Sequence, residues 1–229
     1  METLFNGYTL DIAPGAFPLS TDSIALADFV RLPKKARVLD LGSGCGTIGI
    51  MLCARDPGCT VTGIELDETA HAMAQKNRSD NRLQDRFQSI CGDFTQIAGL
   101  IPPGSFEICV SNPPYFTAGF LSQSVPLARH EAACSLEALM HSAALALKFG
   151  GDFYLVHKPE RLAELFAAAC AKKLEPKRLC LLRHKENGPV TLVLVQCRKG
   201  AKPGLLWEEA ALHDRDEQPT AYYRQIYHR

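Results

Sequence analysis

The residues best equipped for chemistry form one short run, Ser111-Asn112-Pro113-Pro114-Tyr115-Phe116, directly after the strand-like stretch Phe106-Glu107-Ile108-Cys109-Val110. Proline lacks the backbone N–H and fixes φ, so a strand arriving from Phe106 stops at Asn112 and gives way to a rigid corner. The corner offers one side-chain amide, backbone carbonyls without competing N–H donors at Pro113 and Pro114, and the ring of Tyr115. This inventory suits accepting two hydrogen bonds from a flat ligand's amino group while a ring stacks on its face. An exocyclic amine such as that of adenine is a poor nucleophile, because its lone pair is delocalised into the ring. With the Asn112 amide oxygen and the Pro113 carbonyl aimed at its two N–H bonds, the nitrogen can turn its lone pair toward an electrophile without a strong base. An ordinary Asn-Pro turn is the competing reading of the same residues.

Such a corner needs a scaffold and a source of the electrophile, and both have signals upstream. Ala36-Arg37-Val38-Leu39-Asp40-Leu41 reads as a strand that ends in Gly42-Ser43-Gly44-Cys45-Gly46, after which Thr47 to Ala54 continues as a helix. This is the first half of a nucleotide-binding βαβ unit. Gly44-x-Gly46-x-x-Gly49 imitates the dinucleotide fingerprint out of register: the fingerprint's first glycine closes the strand, which here is Gly42, and its third would then fall at Thr47. Alternating Gly42, Gly44 and Gly46 instead let the backbone pass close to an amino-acid or ribose moiety beside the Asp40 carboxylate. An acid at that point repels pyrophosphate and suits the cationic methionine end of S-adenosylmethionine.

A second strand, Cys59 to Leu66, ends in Glu65, where an acid can accept both hydroxyls of a ribose. The helix Asp67 to Asn77 follows, with acids in its first turn. A third strand, Phe87 to Cys91, leads to Asp93 and Phe94, a carboxylate and a ring that fit an adenine pocket. A fourth strand delivers the Asn-Pro-Pro-Tyr corner, so these candidates all lie at the C-terminal ends of strands, where open α/β sheets bind ligands. Thr21-Asp22-Ser23 precede an apolar helix over Ile24 to Val30 and read as its cap. Each site has a plainer reading beside it: a surface charge at Glu65, a helix cap at Asp93, simple capping at Thr21 and Asp22. Downstream, a helix from Ser135 to Leu147 ends at Phe149-Gly150-Gly151, and Asp152 to His157 forms a fifth strand. A helix spans Arg161 to Leu174, and Leu179 to Leu182 pairs antiparallel with Val190 to Val195. We expect one domain over 1–229, divided into an N-terminal extension and helix (1–35), a core (36–204) and a C-terminal tail (205–229).

Composition narrows the classes. A chain of 229 residues with 25 basic and 25 acidic side chains and 46% hydrophobic content is globular, and no apolar run approaches the length of a membrane span. Met1 to Asn6 has neither the basic start nor the apolar core of a secretory signal. None of the nine cysteines falls in a metal-type pair, so they read as reduced thiols of a cytoplasmic protein without a zinc site. Charge is uneven: from Lys172 to Lys202 nine bases stand against two acids, Glu175 and Glu186. That segment is either a solvated face or a contact for RNA phosphates.

The combination resembles the class I methyltransferases that modify exocyclic amines, with Leu39-Asp40-Leu41-Gly42-Ser43-Gly44-Cys45-Gly46 similar to their cofactor motif and Asn112-Pro113-Pro114-Tyr115 to their catalytic motif. The closer resemblance is to the bacterial tRNA1(Val) (adenine-N6)-methyltransferase family. It runs over nearly the whole chain and includes Thr21-Asp22-Ser23 and, in the long loop after the corner, Arg129-His130-Glu131. The resemblance implies a Rossmann-like α/β fold, a seven-stranded sheet parallel but for one strand with helices on both faces. It implies S-adenosyl-L-methionine as cofactor, no metal, and N6 of a tRNA adenine as the acceptor. Residues and resemblance together assign Asn112, Pro113, Pro114 and Tyr115 to catalysis. They assign Thr21, Asp22, Asp40, Gly42, Gly44, Gly46, Glu65, Leu66, Asp93 and Phe94, with Asn112, to the cofactor. The same corner serves enzymes that methylate a glutamine side chain in release factors, and a close variant serves guanine amines in ribosomal RNA. The glutamine enzymes carry a helical domain first, whereas fewer than forty residues precede the first core strand here. A nicotinamide oxidoreductase and a catalytically silent RNA-binding module complete the readings left open.

Overall fold

The computed structural model describes residues 2–114 and 135–228. Strands β1 (Glu2–Thr3) and β2 (Thr9–Leu10) form a small antiparallel ribbon. Eight more strands build one sheet: β3 (Arg37–Leu41), β4 (Thr60–Glu65), β5 (Phe87–Cys91), β6 (Phe106–Ser111), β7 (Leu147–His157), β8 (Leu174–Lys185), β9 (Val190–Lys199) and β10 (Leu206–His213). Their order is β10-β8-β9-β7-β6-β3-β4-β5, and every strand is parallel to β3 except β9. The chain leaves β3 toward β4 and β5, then crosses back to β6 and β7. The order therefore reverses between β3 and β6, and the crevice at their carboxyl ends is where such a sheet takes a ligand.

Helices α1 (Thr21–Phe29), α2 (Thr47–Arg55) and α3 (Glu68–Asp80) precede the switch to β6, and α4 (Leu136–Ala146), α5 (Leu162–Ala171) and α6 (Ala221–Tyr227) follow it. Strict alternation sends successive side chains of a strand to opposite faces. In β7, Tyr154 and Val156 enter a core with α1 and α2, while Phe153 and Leu155 enter a second core with α4 and α5; all four are fully buried. Burial on both faces is why the central strands read as near-continuous apolar runs.

The sheet has eight strands rather than the expected seven. Leu206–His213, assigned above to a tail, lies parallel to β8 as an edge strand, and Ala221–Tyr227 is a helix. Glu208-Glu209-Ala210-Ala211-Leu212 has the composition of a helix, yet at the sheet edge, with Glu208 and Glu209 in solvent and Leu212 buried, it runs extended along β8. A second difference lies at Phe149-Gly150-Gly151, which begins β7 instead of ending a helix. A Cβ on Gly151 would sit 2.9 Å from the Glu107 carbonyl oxygen, so the glycines admit a bulge against β6, where the register shifts between Phe106 and Ile108. A third concerns α1, whose cap is Ser20 and not the Thr21-Asp22-Ser23 run.

The N-terminal extension is strapped to α3 by two asparagines one turn apart. The Asn81 side chain accepts from the Thr9 N–H and donates to its carbonyl, and Asn77 does the same for Asp11. Each amide imitates a strand partner, so the extension gains hydrogen bonds from a helix in addition to the pairing of β2 with β1. Asn77 also donates to the Cys45 carbonyl at 2.9 Å, and the Ala13 N–H points to the Cys45 sulfur. Residues 9–13 are thereby fixed against the glycine loop.

Candidate active site

The loop after β3 carries three alternating left-handed glycines, Gly42, Gly44 and Gly46, at φ 73°, 55° and 83°. No L side chain adopts this run without strain. A Cβ on Gly42 or Gly44 would meet nothing within 4 Å, whereas one on Gly46 would lie 2.8 Å from the buried Phe87 ring, and one on Gly49 2.6 Å from it. Gly46 and Gly49 are therefore small for packing, while Gly42 and Gly44 border open space that a ligand can enter. This division explains the out-of-register fingerprint: its last glycine serves a helix-to-sheet contact.

Glu65, half-buried at the end of β4, holds the loop. Its Oε2 accepts from the Gly44 N–H at 2.7 Å and its Oε1 from the Asp67 N–H at 2.9 Å. A carboxylate has about four acceptor positions, so two remain for hydroxyl donors. Leu66 beside it is 51% exposed, an apolar side chain available to the face of a ring. Across β5, Asp93 accepts from the Thr95 N–H at 2.8 Å and caps a short 3-10 turn over Phe94–Gly99. The cap reading holds, and one carboxylate oxygen is engaged by it. Phe94 is half-buried against the second core.

Asp40 lies beneath the glycine loop, 1% exposed, and neither carboxylate oxygen has a hydrogen-bond partner. Burial first and the charge of Glu65 second push its pKa to about 7, with the Gly49 amide acting in the other direction. A buried unpaired carboxylate is unfavourable unless a cation or donor arrives. The loop therefore combines open space over two glycines, an acid at a strand end and an orphaned acid beneath. That donor set fits a ligand with a ribose and a cationic amino-acid end.

The corner follows β6 as expected. Ser111 donates its hydroxyl to the Leu41 carbonyl at 2.7 Å, tying the end of β6 to the end of β3 across the switch point. Asn112 then stands half-buried beside the glycine loop, and Pro113 is buried. The Asn112 amide N–H donates to the Ser23 hydroxyl at 3.0 Å. A side-chain amide has one oxygen and one nitrogen, so anchoring the nitrogen on α1 also sets the direction of the oxygen. Ser23, 7% exposed, reads in the sequence only as part of a helix cap; nothing local connects it to a residue 89 positions away. Thr21 turns its hydroxyl to the Tyr227 hydroxyl of α6 at 2.7 Å, and Asp22 sits half-buried in the first turn of α1. Tyr115, Phe116 and Arg129-His130-Glu131 lie outside the described residues.

Among the described residues no group of acids, histidines and cysteines could hold a metal ion. His157, at the end of β7, is 2% exposed, and burial lowers its pKa; it accepts from the Lys158 N–H at 2.8 Å.

Comparison with known proteins agrees with this geometry. Residues 18–166 match the family described as "Methyltransferase small domain". A tRNA1(Val) (adenine(37)-N6)-methyltransferase of Photobacterium profundum is 28% identical over 92% of this chain and 90% of its own. A protein of the same name from Porphyromonas gingivalis is 31% identical over 80% of this chain and 76% of its own. Among solved structures, a predicted O-methyltransferase from Agrobacterium tumefaciens superposes with a TM-score of 0.76, covering 91% of this chain and 96% of that one at 21% identity. The chain belongs to the methyltransferase small domain family and, through these relatives, to the family of the tRNA1(Val) (adenine(37)-N6)-methyltransferases.

Proposed function

We propose that this chain, working as one domain, methylates the exocyclic N6 of an adenine in tRNA, using S-adenosylmethionine. The observation that carries the reading is the anchored corner: an amide fixed by Ser23 and a proline carbonyl, at the switch point beside a glycine loop open to a ligand. Relatives that cover most of the chain bear the same activity in their names.

S-adenosylmethionine, when bound, supplies a methyl group on a sulfonium centre. Glu65 would accept from the ribose hydroxyls, Leu66 and Phe94 would flank the adenine of the cofactor, Asp93 would accept from its amine, and the passage over Gly42, Gly44 and Gly46 would take the amino-acid end. Asp40 ionises beneath it. Thr21 and Asp22, in the first turn of α1, border the same space. Asn112 Oδ1 and the Pro113 carbonyl accept the two N–H bonds of the substrate amine and free its lone pair for attack. After transfer the nitrogen is cationic and acidic, and it releases one proton to water, which leaves a secondary amine. Pro114 keeps the corner rigid, and Tyr115 stacks on the target base, which has to leave its own stack to reach the corner.

Two features disfavour nicotinamide binding: Gly49 is committed to Phe87, and a carboxylate lies under the loop where a pyrophosphate would have to come. No helix among the described residues is long and apolar enough to cross a membrane, and the eight described cysteines are free thiols, which supports a place in a reducing cytoplasm. The decisive experiment incubates purified protein with S-adenosylmethionine and unmodified tRNA and then digests the RNA for nucleoside mass spectrometry. N6-methyladenosine in the digest is expected. Methylated guanine, or methyl transfer to a release-factor glutamine with none to tRNA, would replace this reading.

A further inference from the structure

The sheet end opposite the catalytic corner carries a feature that methyl transfer does not use. Phe149, at the start of β7, is 82% exposed, and its close neighbour is a stretch of backbone. It lies over the backbone of Gly200, where a Cβ would fall 2.1 Å from the ring, and Gly200 itself sits at φ 71°. Glycine is required there twice, once for conformation and once for the ring's approach. Gly200 in turn donates its N–H to the Lys173 carbonyl at 2.8 Å, and Lys199 donates its ammonium to the Leu147 carbonyl at 2.7 Å. Three segments, 147–150, 171–175 and 198–202, thus meet beside a solvent-facing aromatic ring that packs on the Gly200 backbone.

These segments hold six bases and one acid. Lys148, Lys172 and Arg198 reach carboxylates brought by other elements, Glu107, Glu137 and Asp152. Lys173 and Lys202 are exposed and form no ion pair among the described residues. An exposed ring on the same surface as two exposed lysines that lack ion pairs among the described residues is the chemistry of a nucleic-acid contact: the ring takes a base or ribose face, and the lysines take phosphates. We propose that this surface is a second RNA-docking site, gripping a part of the substrate remote from the reacting base; the proposal rests on the reading of the chain as an RNA methyltransferase. Phe149 lies six residues along β7 from Leu155, which pairs with Ser111 at the corner, so the two sites are about 20 Å apart. That distance equals several steps along one strand of a helix, well within a whole tRNA.

The test compares a full-length valine tRNA transcript with its isolated anticodon loop of a few nucleotides, on the wild type, F149A, F149W and K173E/K202E. Phe149→Ala should weaken full-length binding about fivefold or more. Phe149→Trp should restore it, and the double charge reversal should lower the slope of log K against log salt by about 2. Methylation of the short loop and binding of S-adenosylhomocysteine should be the same for all four proteins. Equal affinity of every variant for the full-length transcript, with the wild type still methylating it, would overturn the docking site and leave the methyltransferase reading intact. A wild type that binds neither RNA would overturn both. Sedimentation showing a wild-type dimer that F149A dissolves would make this surface an interface between copies instead.

Discussion

The two ends of one sheet carry opposite chemistry. At the carboxyl ends of β3, β4, β5 and β6 stand Asp22, Asp40, Glu65, Asp67, Glu68 and Asp93, arranged around left-handed glycines and a proline corner. At the amino ends of β7, β8 and β10 the acids Glu107, Glu137 and Asp152 are each paired with a base, Lys173 and Lys202 stand exposed without an ion pair among the described residues, and two rings are exposed, Phe149 at 82% and Trp207 at 66%. The acids suit a cationic cofactor but repel a phosphate chain, and so a polyanionic substrate gains little charge attraction where it reacts. Chemistry and grip are thus separable in this molecule, and substitutions at the two ends should divide between turnover and RNA affinity.

The largest effect is expected at Asn112. In the proposed mechanism its oxygen acts on the amine as the bond forms, so Asn112→Ala should lower kcat by about 10²–10³ while the dissociation constant for S-adenosylhomocysteine stays within about twofold of wild type. Single-turnover methylation and calorimetry check the two halves. A parallel loss of cofactor affinity would mean that Asn112 serves the cofactor more than the reaction.

Glu65→Ala should come next and should appear in binding. The Gly44 and Asp67 amides lose their acceptor and, in the proposed binding mode, two ribose hydroxyls lose theirs, for about 1.5–3 kcal/mol in calorimetry with S-adenosylhomocysteine. Unchanged affinity would return Glu65 to the role of a loop clip.

Asp40 gives a pH signature. Its pKa of about 7 in the folded protein exceeds its ordinary value of 3.8, so the native state keeps a proton that the unfolded chain releases. The protein therefore loses stability as pH rises from about 4 to about 7, and the loss is complete above that. A cationic ligand end favours the ionised form, so S-adenosylhomocysteine affinity should rise about tenfold from pH 6 to pH 8 and be flat in Asp40→Asn. In thermal melts Asp40→Asn should gain several degrees over wild type at pH 8 and little at pH 5. A wild-type affinity independent of pH would show that Asp40 meets no cation.

Ser23→Ala should reduce kcat about fivefold, less than the loss of Asn112 itself, because it frees the amide to rotate without removing the acceptor. Ser23→Thr, which keeps the hydroxyl, should recover part of the rate. Equal rates for all three proteins would show that the corner holds its geometry without α1.

The sequence disclosed those parts of the site that follow from local backbone chemistry. Gly42, Gly44 and Gly46 are readable because φ above zero requires glycine, and the stop at Asn112 because two prolines end a strand. The position of Glu65 at the end of a strand is legible in the same way. The rest was closed to such reading because long-range contact created it: Ser23 meets Asn112 across 89 residues, and β10 exists only because β8 offers it an edge. The cap on α1 was misplaced by one residue, since Ser20 and Thr21 are both good capping types. Charge was the most deceptive signal. The run from Lys172 to Lys202 is one stretch in sequence, but β8 and β9 run in opposite directions and divide it between the two ends of the sheet.

That division sets the smallest expected effect. Arg183 and Lys185 lie at the carboxyl end, nearer the corner than the other bases of their segment, and a reading by position alone makes them the chief phosphate contacts. Their surroundings argue otherwise. Arg183 donates to the Gly188 carbonyl at 2.7 Å and pairs with Glu209, which braces the turn between β8 and β9, and Lys185 pairs with Glu217 at 3.0 Å. Both charges already have partners, and a phosphate would have to displace them in the presence of competing carboxylates. Lys185→Ala should therefore change affinity for full-length tRNA by less than about twofold and leave the salt slope unchanged, against a slope change of about 2 for the double reversal at Lys173 and Lys202. If Lys185→Ala alone lowered the slope by about 1, the RNA would run along the carboxyl end after all, and the separation of grip from chemistry would fail.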